Sequence, residues 1–243
     1  MHSSTKGTFK HRRGIGKKNS TKKGGIGDLL KSPGLRKGLT ISLGLVILQQ
    51  FSGINAVLAF MGPIFEATGS GISTYVSTII IGTIQVFSTV LTSAIVEKLG
   101  RKFLLLGSTI GSCGSILLLG LYFYLKNSKI YNVDSIFWLP VVCLMVYIVS
   151  FNMGLGPLPW AIMGEIFPAH VKSVAAALTS FSCFLAGFGV TMGFPIIVES
   201  LGMAQCFWIF GSCCILSISF IYTVVPETKG KTLAEIQKIL SKN

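Results

Sequence analysis

Long stretches of this 243-residue chain carry no lysine or arginine, among them Thr40 to Val96, Phe103 to Leu125 and Ser173 to Glu227. A soluble domain spreads charge along its whole length, at about a quarter of its residues. Here charged residues make up 12% and hydrophobic ones 51%, with a mean hydropathy of +0.70. A helix needs roughly 20 apolar residues to cross a bilayer. Six runs qualify, at about 38–63, 74–96, 103–125, 136–166, 172–198 and 203–225. The expected fold class is an all-α integral membrane protein with six transmembrane helices.

The basic residues set the expected orientation. Residues 1–37 hold 11 of the 21, the 97–102 loop holds three, Lys172 stands alone, and the C-terminal tail holds four. Alternating spans put all of these on one side and leave only Lys126 and Lys129 on the other. Cytoplasmic loops carry the Lys and Arg excess, so both termini are expected inside, most simply at the plasma membrane. The division is then a basic tail at 1–37, a six-span unit at 38–226 and a second cytoplasmic tail at 227–243. The net charge of +13 follows from this topogenic bias, and no nucleic-acid partner is expected. The basic, acid-poor start has some character of an organelle transit peptide, but Gly and Pro spoil an amphipathic helix there. Asn19-Ser20-Thr21 fits the glycosylation pattern, on a side that never meets that machinery.

Polar residues within the apolar runs are sparse and placed. Gln49, Gln50 and Asn55 put three carboxamides into the first span, where an unpartnered amide in hydrocarbon costs several kcal/mol. They mark either a packing seam or a site for something polar and uncharged. The first span is broken at Ser52-Gly53, and the fourth carries Gly154, Gly156, Pro157 and Pro159, too interrupted for one straight helix. Six spans divide as three plus three, so the two broken spans occupy equivalent places. Such paired interruptions point to the binding site of a transporter built from inverted repeats. Gln49 and Asn55 lie about 120° apart on an unbroken helix, so they share one cavity only if the chain unwinds near Gly53. Gly107-x-x-x-Gly111 and Gly189-x-x-x-Gly193 predict close helix approach. The six cysteines all fall within spans without CxxC pairs or histidine partners, which predicts small apolar fillers rather than a metal site or disulfides. No cofactor and no catalytic cluster is expected.

Four motifs stand in order: Gln49-Gln50-x-Ser52-Gly53-Ile54-Asn55, Glu97-x-x-Gly100-Arg101-Lys102, Gly156-Pro157-x-Pro159-Trp160 with Glu165, and Pro226-Glu227-Thr228-Lys229-Gly230. Together they resemble the C-terminal half of a sugar porter of the major facilitator superfamily, similar to insect facilitated trehalose transporters and animal glucose facilitators. The resemblance covers about Gly27 to Asn243. It implies a half-bundle of the 3+3 inverted-repeat fold that moves trehalose or a hexose such as glucose by facilitated diffusion. Gln49, Gln50, Asn55, Gln85 and Asn152 would meet sugar hydroxyls, and Trp160 would stack on the ring. Carboxamides match a polyol because each offers donors and an acceptor. Gly53, Gly156, Pro157 and Pro159 would serve as hinges. Glu97, Arg101, Glu165, Lys172 and Glu227 would form a cytoplasmic gate; the plainer reading is orientation charges at helix ends.

Several positions depart from the family pattern. Ala59 and Phe60 replace two aromatic residues, Asn152 stands where glucose facilitators usually have Glu, and Cys183-Phe184 replaces an Asn-Trp pair. No acid lies at mid-depth to couple protons. The resemblance also implies a cavity between two six-span halves, so a missing N-terminal half or a full-length homologue is an expected partner, alongside sugar and lipid. The competing expectation is a truncated half-carrier that pairs with full-length relatives without transporting. A mitochondrial carrier would show three Pro-x-Asp/Glu-x-x-Lys/Arg repeats, which are absent.

Overall fold

The computed structural model describes residues 25–68, 74–128, 136 and 138–242, and its described residues form helices without strands. Most of the expected N-terminal tail, with Asn19, and also Lys129 lie outside the described residues. Apolar sequence with no water partner satisfies its backbone internally, and the helix does this within one segment.

The first span is three pieces: α2 (Pro33–Phe51), α3 (Ile54–Ala59) and α4 (Met61–Thr68), preceded by the short α1 (Ile26–Lys31). Pro33 opens α2 at a position whose N–H would be free anyway. The second segment is α5 (Thr74–Leu99) and the third α6 (Arg101–Ser128). The fourth divides into α7 (Leu139–Met153) and α8 (Leu158–Ile166), as its glycines and prolines predict. Then follow α9 (Ala169–Leu201), α10 (Met203–Val224) and α11 (Leu233–Lys242).

Five stretches are long and apolar enough to cross a membrane: Pro33–Ala59, Arg101–Ser128, Leu139–Ile166, Ala169–Leu201 and Met203–Val224. The expected second span is a helix of 26 residues, but its apolar stretch, Thr78–Thr92, is shorter than these.

The core runs between α6, α7 and α10, where Leu105, Ile116, Leu144, Tyr147, Ile148 and Phe207 are fully buried. α2 packs on α9 and α10 and is the most enclosed of the spanning helices, and α9 the least. The Gly107/Gly111 expectation holds at one member: a Cβ on Gly111 would meet Ser150 Oγ at 2.6 Å. Gly189 and Gly193 face open space; the close approach on α9 is made by Gly187, just ahead of them on the helix.

Residues 233–242 of the expected C-terminal tail form a docked amphipathic helix. Ile236 and Leu240 of α11 are buried against the bundle, and Gln237 Nε2 donates to Ile166 O at 2.7 Å, at the end of α8. Thr232 and Glu235 make a reciprocal capping box, with the Thr232 N–H donating to Glu235 Oε2 at 2.7 Å and the Glu235 N–H to Thr232 Oγ1 at 3.4 Å.

Candidate functional site

Three expected site residues, Gln49, Gln50 and Asn55, flank the break in the first span. Gly53 sits at φ 90°, a left-handed conformation open to glycine and costly for a side chain, and a Cβ there would also strike the Phe210 ring. The turn unwinds the chain between Phe51 and Ile54, the unwinding that a shared cavity requires. Asn55 Nδ2 thereby reaches back five residues to Gln50 Oε1 at 2.6 Å. Phe210, Phe194 and Phe60 stack in sequence beside the turn, with ring centres 6.2 and 5.1 Å apart.

The three amides have different neighbours. Gln49 is 5% exposed and donates through Nε2 to Gly156 O at 2.9 Å, while its Oε1 is buried without a hydrogen-bond partner. Gln50 is 7% exposed, accepts from Asn55, and donates to Cys183 Sγ of α9 at 2.9 Å. Asn55 itself is exposed at the edge of the bundle. Gly187, one turn after Cys183, leaves room for the pair: a Cβ there would come within 2.7 Å of Asn55 Nδ2 and 3.1 Å of Gln50 Oε1. The Gln49 and Gln50 donors therefore tie helices together, while the Gln49 acceptor stays open.

The second break adjoins the first. Gly154 closes α7, and the freed Leu155 N–H is taken by Ser108 Oγ of α6 at 2.9 Å. Gly156 O is taken by Gln49, so side chains from two neighbouring helices hold the interruption. Freed backbone groups at membrane depth need such partners. A third device is Tyr147, fully buried, whose hydroxyl donates to Ser52 O at 2.9 Å. Ser52 Oγ in turn donates to Gln49 O at 2.7 Å. Neither Tyr147 nor Ser108 was expected from the sequence. The only signal was a hydroxyl in an apolar run, joined for Tyr147 by its place about two helix turns before Gly154.

Other expected site residues stand apart from this cluster. Gln85 is half-buried on α5, which packs on α4, α6 and α7, and its amide has no hydrogen bond among the described residues. Asn152 spends its donor on Ile148 O of its own helix at 3.0 Å, and its backbone carbonyl accepts from Thr92 of α5 at 3.1 Å. Trp160 is partly buried and packs on the hydrophobic core, next in sequence to Pro159.

Arg101, Glu165 and Glu227 gather at one end of the bundle. Gly100, at φ 91°, ends α5 before α6 begins, so Glu97 and Arg101 lie on separate helices. The Glu97 side chain lies outside the described side chains. Arg101 reaches Glu165 of α8, with Nη2 and Nε 3.0 and 3.1 Å from Oε1. Glu227 caps α6: its two oxygens accept from the Arg101 and Lys102 N–H groups, each at 3.1 Å, and from the Lys229 N–H at 2.8 Å. A carboxylate suits the partly positive helix N-terminus. Burial pushes the Glu227 carboxyl toward its neutral form, but these backbone N–H bonds outweigh it and hold the pKa below the usual carboxylate value. Lys172 is exposed and forms no ion pair among the described residues.

A helical bundle with two discontinuous spans crossing at a buried amide, and no His/Cys/Asp/Glu metal cluster among the described residues, defines a polytopic membrane protein of the broken-helix kind. The sequence comparison makes the class specific: the family described as sugar (and other) transporters matches residues 5–240, beginning upstream of the Gly27 expected from the motifs. The chain belongs to that family. The facilitated trehalose transporter Tret1 of Anopheles gambiae is 40% identical over 211 residues, 87% of this chain and 26% of that protein. Its Bombyx mori counterpart is 40% identical over 201 residues, 83% of this chain and 40% of that protein. Among solved structures, the major facilitator superfamily proton:xylose symporter XylE bound to 6-bromo-6-deoxy-D-glucose superimposes with a TM-score of 0.72 at 32% identity. It covers 83% of this chain and 42% of that one. The chain thus spans less than half the length of the relatives it matches.

Proposed function

We propose that this chain supplies the C-terminal half of a carrier that moves a neutral sugar, trehalose or a hexose, across a membrane by alternating access and facilitated diffusion. The observation that carries the reading is Gln49: a buried amide whose donor is tied to the broken fourth span while its acceptor is empty. An unpaired buried acceptor costs about 1–3 kcal/mol, and a sugar hydroxyl offers the missing donor. Gln50 and Asn55 extend the polar surface, and Gln85, Asn152 and Trp160 would join it when the broken spans move. The names of the trehalose and xylose transporters to which the chain is similar support the substrate class.

In this reading α5 is the sixth crossing, both termini face the cytoplasm, and the host is the plasma membrane, supported by the Lys and Arg distribution. The other half of the cavity comes from an N-terminal six-span unit or a full-length homologue. Arg101, Glu165 and Glu227 serve as the cytoplasmic gate, made in one state and broken in the other, with Lys172 and Glu97 as its remaining charges.

Uptake of labelled trehalose and glucose into proteoliposomes, with the partner half present, tests this. Gln49→Ala and Asn55→Ala are expected to lower uptake at least tenfold, the worth of one or two lost hydrogen bonds. Equal uptake by variants and parent removes the assigned site. A second reading is a half-carrier that pairs with full-length relatives and transports nothing. A native product near 26 kDa with no uptake in any pairing would favour that one.

A further inference from the structure

Beside the Glu227 cap a cavity of about 310 Å³ opens between α2, the start of α6, the end of α10 and α11. It has room for about ten water volumes. Three lysines from three separate segments line it: Lys37 of α2, Lys102 at the start of α6, and Lys231 just before α11. Lys102 is fixed by donating to Tyr222 O at 2.8 Å, with its Nζ 5.7 Å from the centre of that ring. The Lys37 and Lys231 side chains form no hydrogen bond or salt bridge among the described residues, while Lys231 interacts through space with the Glu235 carboxylate. The lining carboxylate, Glu227, offsets one of the three charges but spends its oxygens on the backbone N–H groups of Arg101, Lys102 and Lys229 rather than on the lysine side chains. Three lysines against one carboxylate leave the lining with a net positive charge.

Its surroundings are not those of a site for a free anion. Apolar side chains, Val224 and Leu240 among them, complete the wall. The outer face of α10 leads away from it with Tyr222 72% exposed and Ile215 exposed two turns below on the same side. A polar, positive seat at a helix end with an apolar track running into the membrane matches an amphiphile with an anionic head. Basic pockets between transmembrane helix ends recognise such headgroups.

We propose that this cavity holds the phosphorylated headgroup of an anionic membrane lipid, with its acyl chains along the exposed face of α10. The lipid would join α11 and the Glu227 strap to α2 and α6, at the bundle end where the gate residues meet. The site stands on helix-end geometry and does not depend on whether the amide cluster binds sugar. The inward orientation proposed above would place it in the leaflet where anionic lipids concentrate.

The full chain, in nanodiscs of phosphatidylcholine alone or with added phosphatidylinositol bisphosphate, tests this by native mass spectrometry and by melting temperature. Bound bisphosphate lipid is expected to survive purification and to raise the melting temperature. Lys37→Ala/Lys231→Ala is expected to weaken retention roughly tenfold or more, whereas Lys37→Arg/Lys231→Arg retains the lipid. Melting in phosphatidylcholine alone shows whether the alanine pair is folded; if it is not, Lys37→Gln/Lys231→Gln replaces it. Equal retention by the uncharged pair overturns the proposal. Soluble inositol trisphosphate is expected to give no comparable shift; a shift of the same size would name a free polyphosphate as the occupant and overturn the lipid assignment.

Discussion

A single hydroxyl decides how firmly the first break is held. Tyr147 OH donates to Ser52 O, and Ser52 Oγ donates onward to Gln49 O, so the tyrosine anchors the turn from which Gln49 projects. Tyr147→Phe keeps the ring and leaves a buried carbonyl unpaired, at a cost of about 1–3 kcal/mol. The expected outcome is a lower unfolding temperature in detergent; an unchanged melting curve would show the hydroxyl idle. This residue also marks the limit of what the sequence discloses. Gln49, Gln50 and Asn55 stand out because a carboxamide in an apolar run is expensive wherever it lies. A tyrosine is apolar over most of its surface, so Tyr147 reads like any core ring until its partner is known. Cys183 and Gly187 are hidden for the same reason: the amide network reaches them through a thiol and through the absence of a side chain.

Elements meet at ends, and two of those meetings are testable. Ser108 of α6 caps the freed Leu155 N–H in the broken fourth span. Ser108→Ala is expected to destabilise by about 1–3 kcal/mol and to raise hydrogen exchange at the 154–157 turn more than in α6; uniform exchange would refute the local role. Glu227 holds the start of α6 through charge. Its carboxyl pKa is depressed in the folded protein below the ordinary 4.5. The stabilisation is therefore fully present above the unfolded value and fades as pH falls through the folded one. Melting temperature should accordingly drop below about pH 4.5 in the parent, and Glu227→Gln should flatten part of that slope while costing about 1–2 kcal/mol at neutral pH. An identical acid slope in both would exclude the cap as its source. The breaks themselves were legible, since Gly-Pro and Ser-Gly interrupt helices by local chemistry. The Arg101–Glu165 ion pair was not, because it joins residues 64 apart on separate helices. The α11 helix left a signal in Thr232-x-x-Glu235, a capping box ahead of an apolar pattern, within residues whose charge suggested only a tail.

At the scale of the whole molecule, the amide cluster lies against an edge. Gln49 and Gln50 are buried while Asn55 is exposed, and the neighbouring α9 turns large apolar side chains outward, with Phe184 76% exposed. Five of the six spans were legible because lipid excludes Lys and Arg over whole helices. Which faces meet lipid and which meet protein was not, since hydrocarbon tails and a protein interior are equally apolar. A sugar seated on Gln49, Gln50 and Asn55 would be walled on one side by α2 and α9 and open on the other. Alternating access needs a second wall that can approach and withdraw. The expected outcome is that this chain alone gives no saturable uptake of labelled trehalose, and that co-reconstitution with the N-terminal six-span half of a full-length relative gives uptake that Gln49→Ala abolishes. Saturable uptake by the chain alone, equally sensitive to Gln49→Ala, would mean that copies of this bundle supply both walls.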